Sequence, residues 1–296
     1  MSLSYDQIGM NIASLAGWSL SEAIAHGPEA GLGAIELLGF TGARHSQGDL
    51  AGAHLDQLGE AERAAIVAGV TPYRTKAVHA PFFDLPLFTH NQGIASLAEA
   101  QIQESVRLVE LMGGGAVIIH PNCKRGFDPA EFRQEMLDTF RRLGDYAGER
   151  GAVIAIENMP DVLPETQDKF CALIWNVDHP AVGACLDTGH VLGMVPHEKR
   201  RTPEGNALLS ATVGSVAATL AGKLVHVHIH DVRAHDWRDH REVGTGVIDY
   251  APLFKALTQI GFSGALSLEM EEPDRRGAIQ RSVARIRGFI DDQQGS

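Results

Sequence analysis

The sequence predicts an α/β chain folded as a single (β/α)8 TIM barrel across residues 1–296, and three observations carry that expectation. Short apolar runs alternate with helical patterns about every 30 to 40 residues along the whole chain, the repeat of a parallel barrel wrapped in helices. The later runs close on a polar residue, at His79, His120, Glu157, Asp187 and Glu269. Alternate residues of a strand share a face. Those five therefore stand above Ala77, Ile118, Ala155, Cys185 and Ser267, while Val78, Ile119, Ile156, Leu186 and Leu268 look the other way. The large apolar set would pack outward on helices, leaving polar tips at the carboxyl mouth, where barrels of this kind keep their chemistry. The third observation is residues 224–231, Leu-Val-His-Val-His-Ile-His-Asp, which set His226, His228 and His230 on one face and Val225, Val227 and Ile229 on the other.

Taken in order, residues 8–14 and 33–38 read as the first two strands, separated by a helix over 21–30 with Ser19 or Ser21 at its cap. The polar, Gly- and His-rich segment 41–59 is a loop leading into a helix. The strand 76–81 stops at His79, because Pro81 has no N–H to extend a ladder. Helical spacing over 97–112 ends at Gly113-Gly114-Gly115, and the strand 116–121 follows. Asp128-Pro129 with Glu131 opens a helix that aligns Phe132, Met136, Phe140 and Leu143. Then come the strand 153–157, a short helix 170–175, the strand 182–187, a long charged loop 190–206, a helix 207–220 and the histidine strand. Asp249 caps a helix with Leu253, Phe254, Leu257 and Ile260 on its inner face, 264–269 is the last strand, and Ile279, Val283, Ile286 and Ile290 line a terminal helix. No linker or low-complexity tract divides the chain.

Composition narrows the function classes. With 44% hydrophobic residues the chain is not a disordered one. A formal charge of −12 gives no overall attraction to nucleic acid or anionic lipid, which leaves a small molecule as the expected partner and a homo-oligomer compatible. The first ten residues lack a basic start followed by an apolar core, and no apolar run has membrane-spanning length. Cys123, Cys171 and Cys185 are odd in number and widely spaced, which points to a reducing, cytoplasmic setting.

A carboxylate at the end of an apolar strand is costly to bury without positive compensation. Glu157, Asp187 and Glu269, with His228 at the comparable place on its strand, make an oxygen-rich set suited to one divalent cation, Mn²⁺ first, with Zn²⁺, Mg²⁺ or Co²⁺ compatible. Glu36 closes an early apolar run and is a candidate to reach the substrate. Arg233, Arg238 and Arg241 after the histidine strand read equally as solvated loop charges or as a grip on phosphate or carboxylate, with Arg233 the candidate substrate contact. Phe82, Phe83, Leu85 and Leu87 suggest an apolar lid or a cap on the barrel.

Glu157-Asn158, Asp187-Thr188-Gly189-His190, His228-Ile229-His230-Asp231 and Glu269 together resemble the xylose-isomerase-like barrels, a superfamily that includes ketose 3-epimerases, inosose dehydratases and endonuclease IV. The resemblance implies that Glu157, Asp187, His228 and Glu269 bind one metal, with Glu157 and Glu269 as the proton-transfer pair and His190 as a contact to a substrate hydroxyl. It implies a keto-sugar or polyol isomerase or epimerase working through a metal-stabilised enediolate. A dehydratase or lyase would share its first step. His79-Ala80-Pro81 and His120-Pro121 resemble the extra zinc histidines of endonuclease IV, and His240 before Gly244-Thr245-Gly246 resembles its late histidine. A second metal, or substrate contacts, are thereby implied for His79, His120, His190 and His240. The match breaks two positions before His240, where Arg238 replaces an aspartate; Asp239 is adjacent, and neighbours in an extended chain point apart. That break and the acidic balance count against a zinc phosphoesterase acting on DNA.

Overall fold

Eight parallel strands close into a barrel, each followed by a helix: β1 (Ile8–Asn11), α1 (Leu20–Glu29), β2 (Ala34–Leu38), α2 (Glu60–Val70), β3 (Thr75–His79), α3 (Gln92–Leu111), β4 (Gly115–Ile119), α4 (Arg133–Gly148), β5 (Ala152–Glu157), α5 (Gln167–Val177), β6 (Val182–Asp187), α6 (Pro203–Thr219), β7 (Leu224–Ile229), α7 (Ala251–Gln259), β8 (Ala265–Leu268) and α8 (Arg275–Gln294). This is a computed structural model, and it describes residues 2–45, 48–123, 128–160 and 167–295. Neighbours in the barrel follow chain order, with β8 returning to pair with β1. The sequence places the strands within one to three residues of these bounds.

The inward and outward faces divide as the alternation requires. Ala77, Ala116, Ile118, Ala155 and Cys185 form their own buried cluster inside the barrel. Val78, Ile119, Ile156, Leu186 and Leu268 belong instead to the larger core between strands and helices. Small interior residues leave room at the axis for the polar tips above them.

Where boundaries differ, capping chemistry decides. β1 stops at Asn11 rather than Ser14, because the Asn11 Oδ1 accepts the Ala13 N–H and opens a 3-10 turn over Ile12–Leu15. Helix α3 starts at Gln92, five residues early, on the Asn91 side chain. Helix α6 begins inside the segment read as loop, with Thr202 as cap and Pro203 in the first turn. Ser19 and Glu22 form a reciprocal capping box on α1.

One irregularity matters to the site. The β6–β7 pairing shifts register between Ala184 and Cys185, so that Cys185 lies opposite His226 and Asp187 opposite His228. Unbroken pairing from Ala184 and Leu224 would have set Asp187 against Val227. The extra residue on β7 therefore brings its histidines level with the inward residues of β6.

Candidate functional site

Glu157, Asp187, His228 and Glu269 converge at the carboxyl mouth. His228 Nδ1 lies 3.0 Å from Glu269 Oε2 and 3.7 Å from both Glu157 Oε2 and Asp187 Oδ2. His190, in the 3-10 turn after β6, puts its Nδ1 3.0 Å from Glu157 Oε1 and 3.6 Å from Asp187 Oδ2. His79 and His120 approach the other oxygen of Glu157, with Nε2 to Oε2 distances of 3.4 and 3.1 Å. Among the described residues, both oxygens of Glu157, His190 Nδ1 and His228 Nδ1 are nevertheless buried without a hydrogen-bond partner. Buried carboxylate oxygens and imidazole nitrogens left close to one another but unbonded are the kind of atoms a bound cation satisfies, and Glu157 and His228 also fall in one group whose ligand atoms lie within 4.8 Å of one another, so the residues fit a divalent metal.

Electrostatics agree with that geometry. Burial works to raise the pKa of Glu157, yet His120 and His228 hold it well below the usual carboxylate range. Asp187 is also buried and is held down by His190 and His230, and Glu269 by His228 and His240. Burial pulls His190 down, but Asp187 and Glu157 outweigh it and push its pKa up to about 9. His228 is raised well above its ordinary value against the same burial, with Cys185, Glu36 and Glu269 among the groups that raise it. Without a cation, protons on the imidazoles balance the carboxylates.

Asp239 and His240 do not point apart. His240 sits at φ +55°, in the left-handed region, which turns its ring back beside its neighbour: Nδ1 is 3.1 Å from Asp239 Oδ1. The extended-chain argument fails at this residue for that reason. His190, Asp239 and His240 together offer ligand atoms within 4.8 Å of one another, as do His79, His120 and Glu157. His240 also stacks on His230, with ring centroids 4.3 Å apart, and its Nε2 comes within 3.9 Å of Glu269.

Residues 24–289 match the Xylose isomerase-like TIM barrel family. The chain belongs to that family. Among its relatives, the uncharacterized protein MJ1311 of Methanocaldococcus jannaschii is 26% identical over 202 residues, 65% of this chain and 63% of its own length. Inosose dehydratase of Geobacillus thermodenitrificans is 27% identical over 138 residues, 46% of each chain. The matches thus span less than two thirds of either protein. Probable endonuclease 4 of Streptomyces coelicolor is 24% identical over 246 residues, 78% of this chain and 79% of its own. Two solved structures share the fold: a D-tagatose 3-epimerase-like protein, with TM-score 0.73, 19% identity and 97% and 99% of the two chains covered, and an L-ribulose 3-epimerase, with TM-score 0.73, 18% identity and 99% and 96% covered.

In this xylose isomerase-like barrel, two of the expected substrate contacts are engaged elsewhere. Glu36 does not end its strand; β2 continues to Leu38, and Glu36 pairs with Asn11 and Ala77 while His79 pairs with Leu38. Its carboxylate is therefore a layer below the cluster and is fully buried among Asn11, His226, His228 and Ser267. Arg233 forms a two-pronged pair with Asp236 three residues on, inside its own loop. Arg238 pairs with Glu271, and Arg241 with Glu271 and Glu272.

Several contributing residues were not singled out by sequence reasoning. Asn11 donates through Nδ2 to Glu36 and, at 3.2 Å, to Glu269 Oε1. The signal was available: like its counterparts, β1 is an apolar run closing on a polar residue. His230, placed by the sequence only on the same face as His228, donates Nε2–H to Asp187 Oδ2 at 2.8 Å, because its Nδ1 accepts the His240 backbone N–H. His226, on that same face, bonds Glu36. Cys185 lies inside the barrel beside His228, where burial pushes its thiol pKa up.

Proposed function

We propose that this chain is a divalent-metal-dependent isomerase or epimerase of a keto-sugar or polyol derivative, removing a proton next to a carbonyl. The observation that carries the reading is that Glu157, Asp187 and Glu269 each bring an oxygen within 3.7 Å of His228 Nδ1, while that nitrogen and both Glu157 oxygens are left without a hydrogen bond among the described residues. When bound, a divalent cation there supplies Lewis-acid stabilisation of negative charge on a substrate oxygen. Glu157 on β5 and Glu269 after β8 flank β6 and β7, so the two carboxylates stand on either side of Asp187 and His228. Glu269, whose side chain is 16% exposed, is the more accessible proton acceptor. Glu157 is enclosed, with His190 beside Oε1 to share a proton. A dehydratase would begin with the same abstraction and then expel a neighbouring hydroxyl.

The second reading is phosphoester hydrolysis with two or three cations, favoured by the satellite groups His79, His120, Glu157 and His190, Asp239, His240. The pairing of Arg233, Arg238 and Arg241 with acidic residues weighs against it, since no guanidinium of that loop is left to receive a phosphate.

The deciding experiment is a panel of keto-sugars incubated with Mn²⁺-loaded protein in heavy water. Solvent deuterium is expected at the carbon beside the carbonyl of at least one sugar. E157Q and E269Q should abolish the exchange under saturating metal. No exchange with any sugar, together with cleavage of an abasic-site duplex by Zn²⁺-loaded protein, would replace this reading with the phosphoesterase.

A further inference from the structure

We propose that Glu36 is the positioning residue of the candidate metal centre: from beneath, it fixes which nitrogen His228 presents to the cation. The inference rests on the reading that the four converging residues hold a metal. An ionised carboxylate only accepts hydrogen bonds, so every polar neighbour of Glu36 must donate to it. His228 Nε2 lies 3.0 Å from each Glu36 oxygen, His226 Nε2 lies 2.9 Å from Oε2, and Ser267 Oγ and Asn11 Nδ2 each approach to 2.9 Å. With Nε2 carrying its hydrogen toward Glu36, the Nδ1 lone pair of His228 faces Glu269, Glu157 and Asp187. Among the described residues Glu36 is the hydrogen-bond acceptor that Nε2 meets, so its removal leaves the ring open to the tautomer that is useless as a ligand at Nδ1.

The same carboxylate reaches a second ligand through one intermediate. Asn11 Oδ1 is committed to the Ala13 N–H, which fixes the amide and leaves Nδ2 to bridge Glu36 Oε1 and Glu269 Oε1. Glu269 is thereby held through Oε1 while its Oε2 faces His228. Glu36 thus organises two of the four ligands without touching the cation position. Carboxylate partners of this kind, behind a metal-bound histidine, change metal affinity about 10- to 100-fold when removed.

The test compares Mn²⁺ affinity of the purified, chelator-treated protein and its E36Q variant by calorimetric titration, with circular dichroism to establish that both are folded. Folded E36Q is expected to bind Mn²⁺ about 10- to 100-fold more weakly. A folded variant with affinity within twofold of the parent overturns the proposal, since a merely structural role would lower thermal stability and leave the affinity of folded molecules unchanged. If the parent itself binds no Mn²⁺, the metal reading falls and this proposal with it. Should E36Q not fold, histidine ¹⁵N spectra of the Zn²⁺-loaded parent decide: Nε2 of His228 protonated and Nδ1 bare is expected, and the reverse overturns the proposal.

Discussion

His190 is buried between Glu157 and Asp187, and its folded-state pKa of about 9 stands above the ordinary value of 6.5. A group raised on folding contributes stability that is complete below its unfolded value and disappears as pH rises through its folded one. For the metal-free chain that contribution is full below 6.5 and lost toward 9, with an upper limit of about 3 kcal/mol from this residue. Glu157, Asp187 and Glu269 are shifted down, so their contribution is present above their unfolded values of 4.5, 3.8 and 4.5 and is lost in acid. Thermal denaturation of chelator-treated protein should therefore show falling stability from pH 6.5 to 9. Mn²⁺-loaded protein should show the opposite, because metal binding displaces protons from the imidazoles and strengthens as pH rises. Parallel profiles with and without Mn²⁺ would mean that these residues do not take up the ion.

At the scale of elements, the loop after β7 carries both Asp239 and His240, and Asp231 closes it. The Asp231 carboxylate accepts the backbone N–H groups of Val232, Gly244, Gly246 and Ile248, four donors spread over the loop. Replacement by alanine leaves them without an acceptor, and each such loss costs about 1–3 kcal/mol when water cannot substitute. D231A should lower stability by at least about 3 kcal/mol and raise amide exchange over 232–248, while strands β3 to β5 keep their protection. Gly246 meets the same closure from the other side. A Cβ there would lie 2.2 Å from the Val232 carbonyl and 2.3 Å from Asp231 Oδ1, so G246A should open the loop in the same exchange experiment. Both variants should leave Glu157, Asp187 and His228 in place, separating the His240 group from the central one. How much of this is legible in sequence follows from which rule governs each residue. Strict alternation gave the inward register of β3 to β6 and the four central residues, because a strand has only two faces. Glu36 was misplaced because it was read as closing its apolar run, although the strand read over 33–38 already carries the chain two residues past it and so sets its carboxylate a layer below the mouth. Asp239 was missed because an extended backbone was assumed where the chain turns left-handed at His240, and a positive φ at a histidine leaves no mark in composition. Asn11 was hidden by reading its strand three residues too long.

For the whole molecule, the question is which of two chemistries the mouth admits. Around the loop after β7 several arginines are paired within the protein: Arg233 with Asp236, Arg238 with Glu271, Arg241 with Glu271 and Glu272, and, on α8, Arg281 and Arg285 with Glu242. These pairs also strap the β7–α7 loop to the chain around the start of α8, so a phosphate could recruit one of these guanidiniums only by breaking a contact that shapes the mouth. The formal charge of −12 adds repulsion at longer range, and three divalent ions would offset only half of it. Affinity for duplex nucleic acid grows from counterions released as cationic side chains meet phosphates, which gives a steep dependence on salt. Paired arginines release few. In fluorescence anisotropy with an abasic-site duplex at about 0.15 M salt, the Zn²⁺-loaded chain should therefore show no saturable binding at micromolar protein, and lowering the salt should gain little. Binding that tightens by orders of magnitude as salt falls would mean that these ion pairs open to the duplex, and the phosphoester reading would then displace the sugar one.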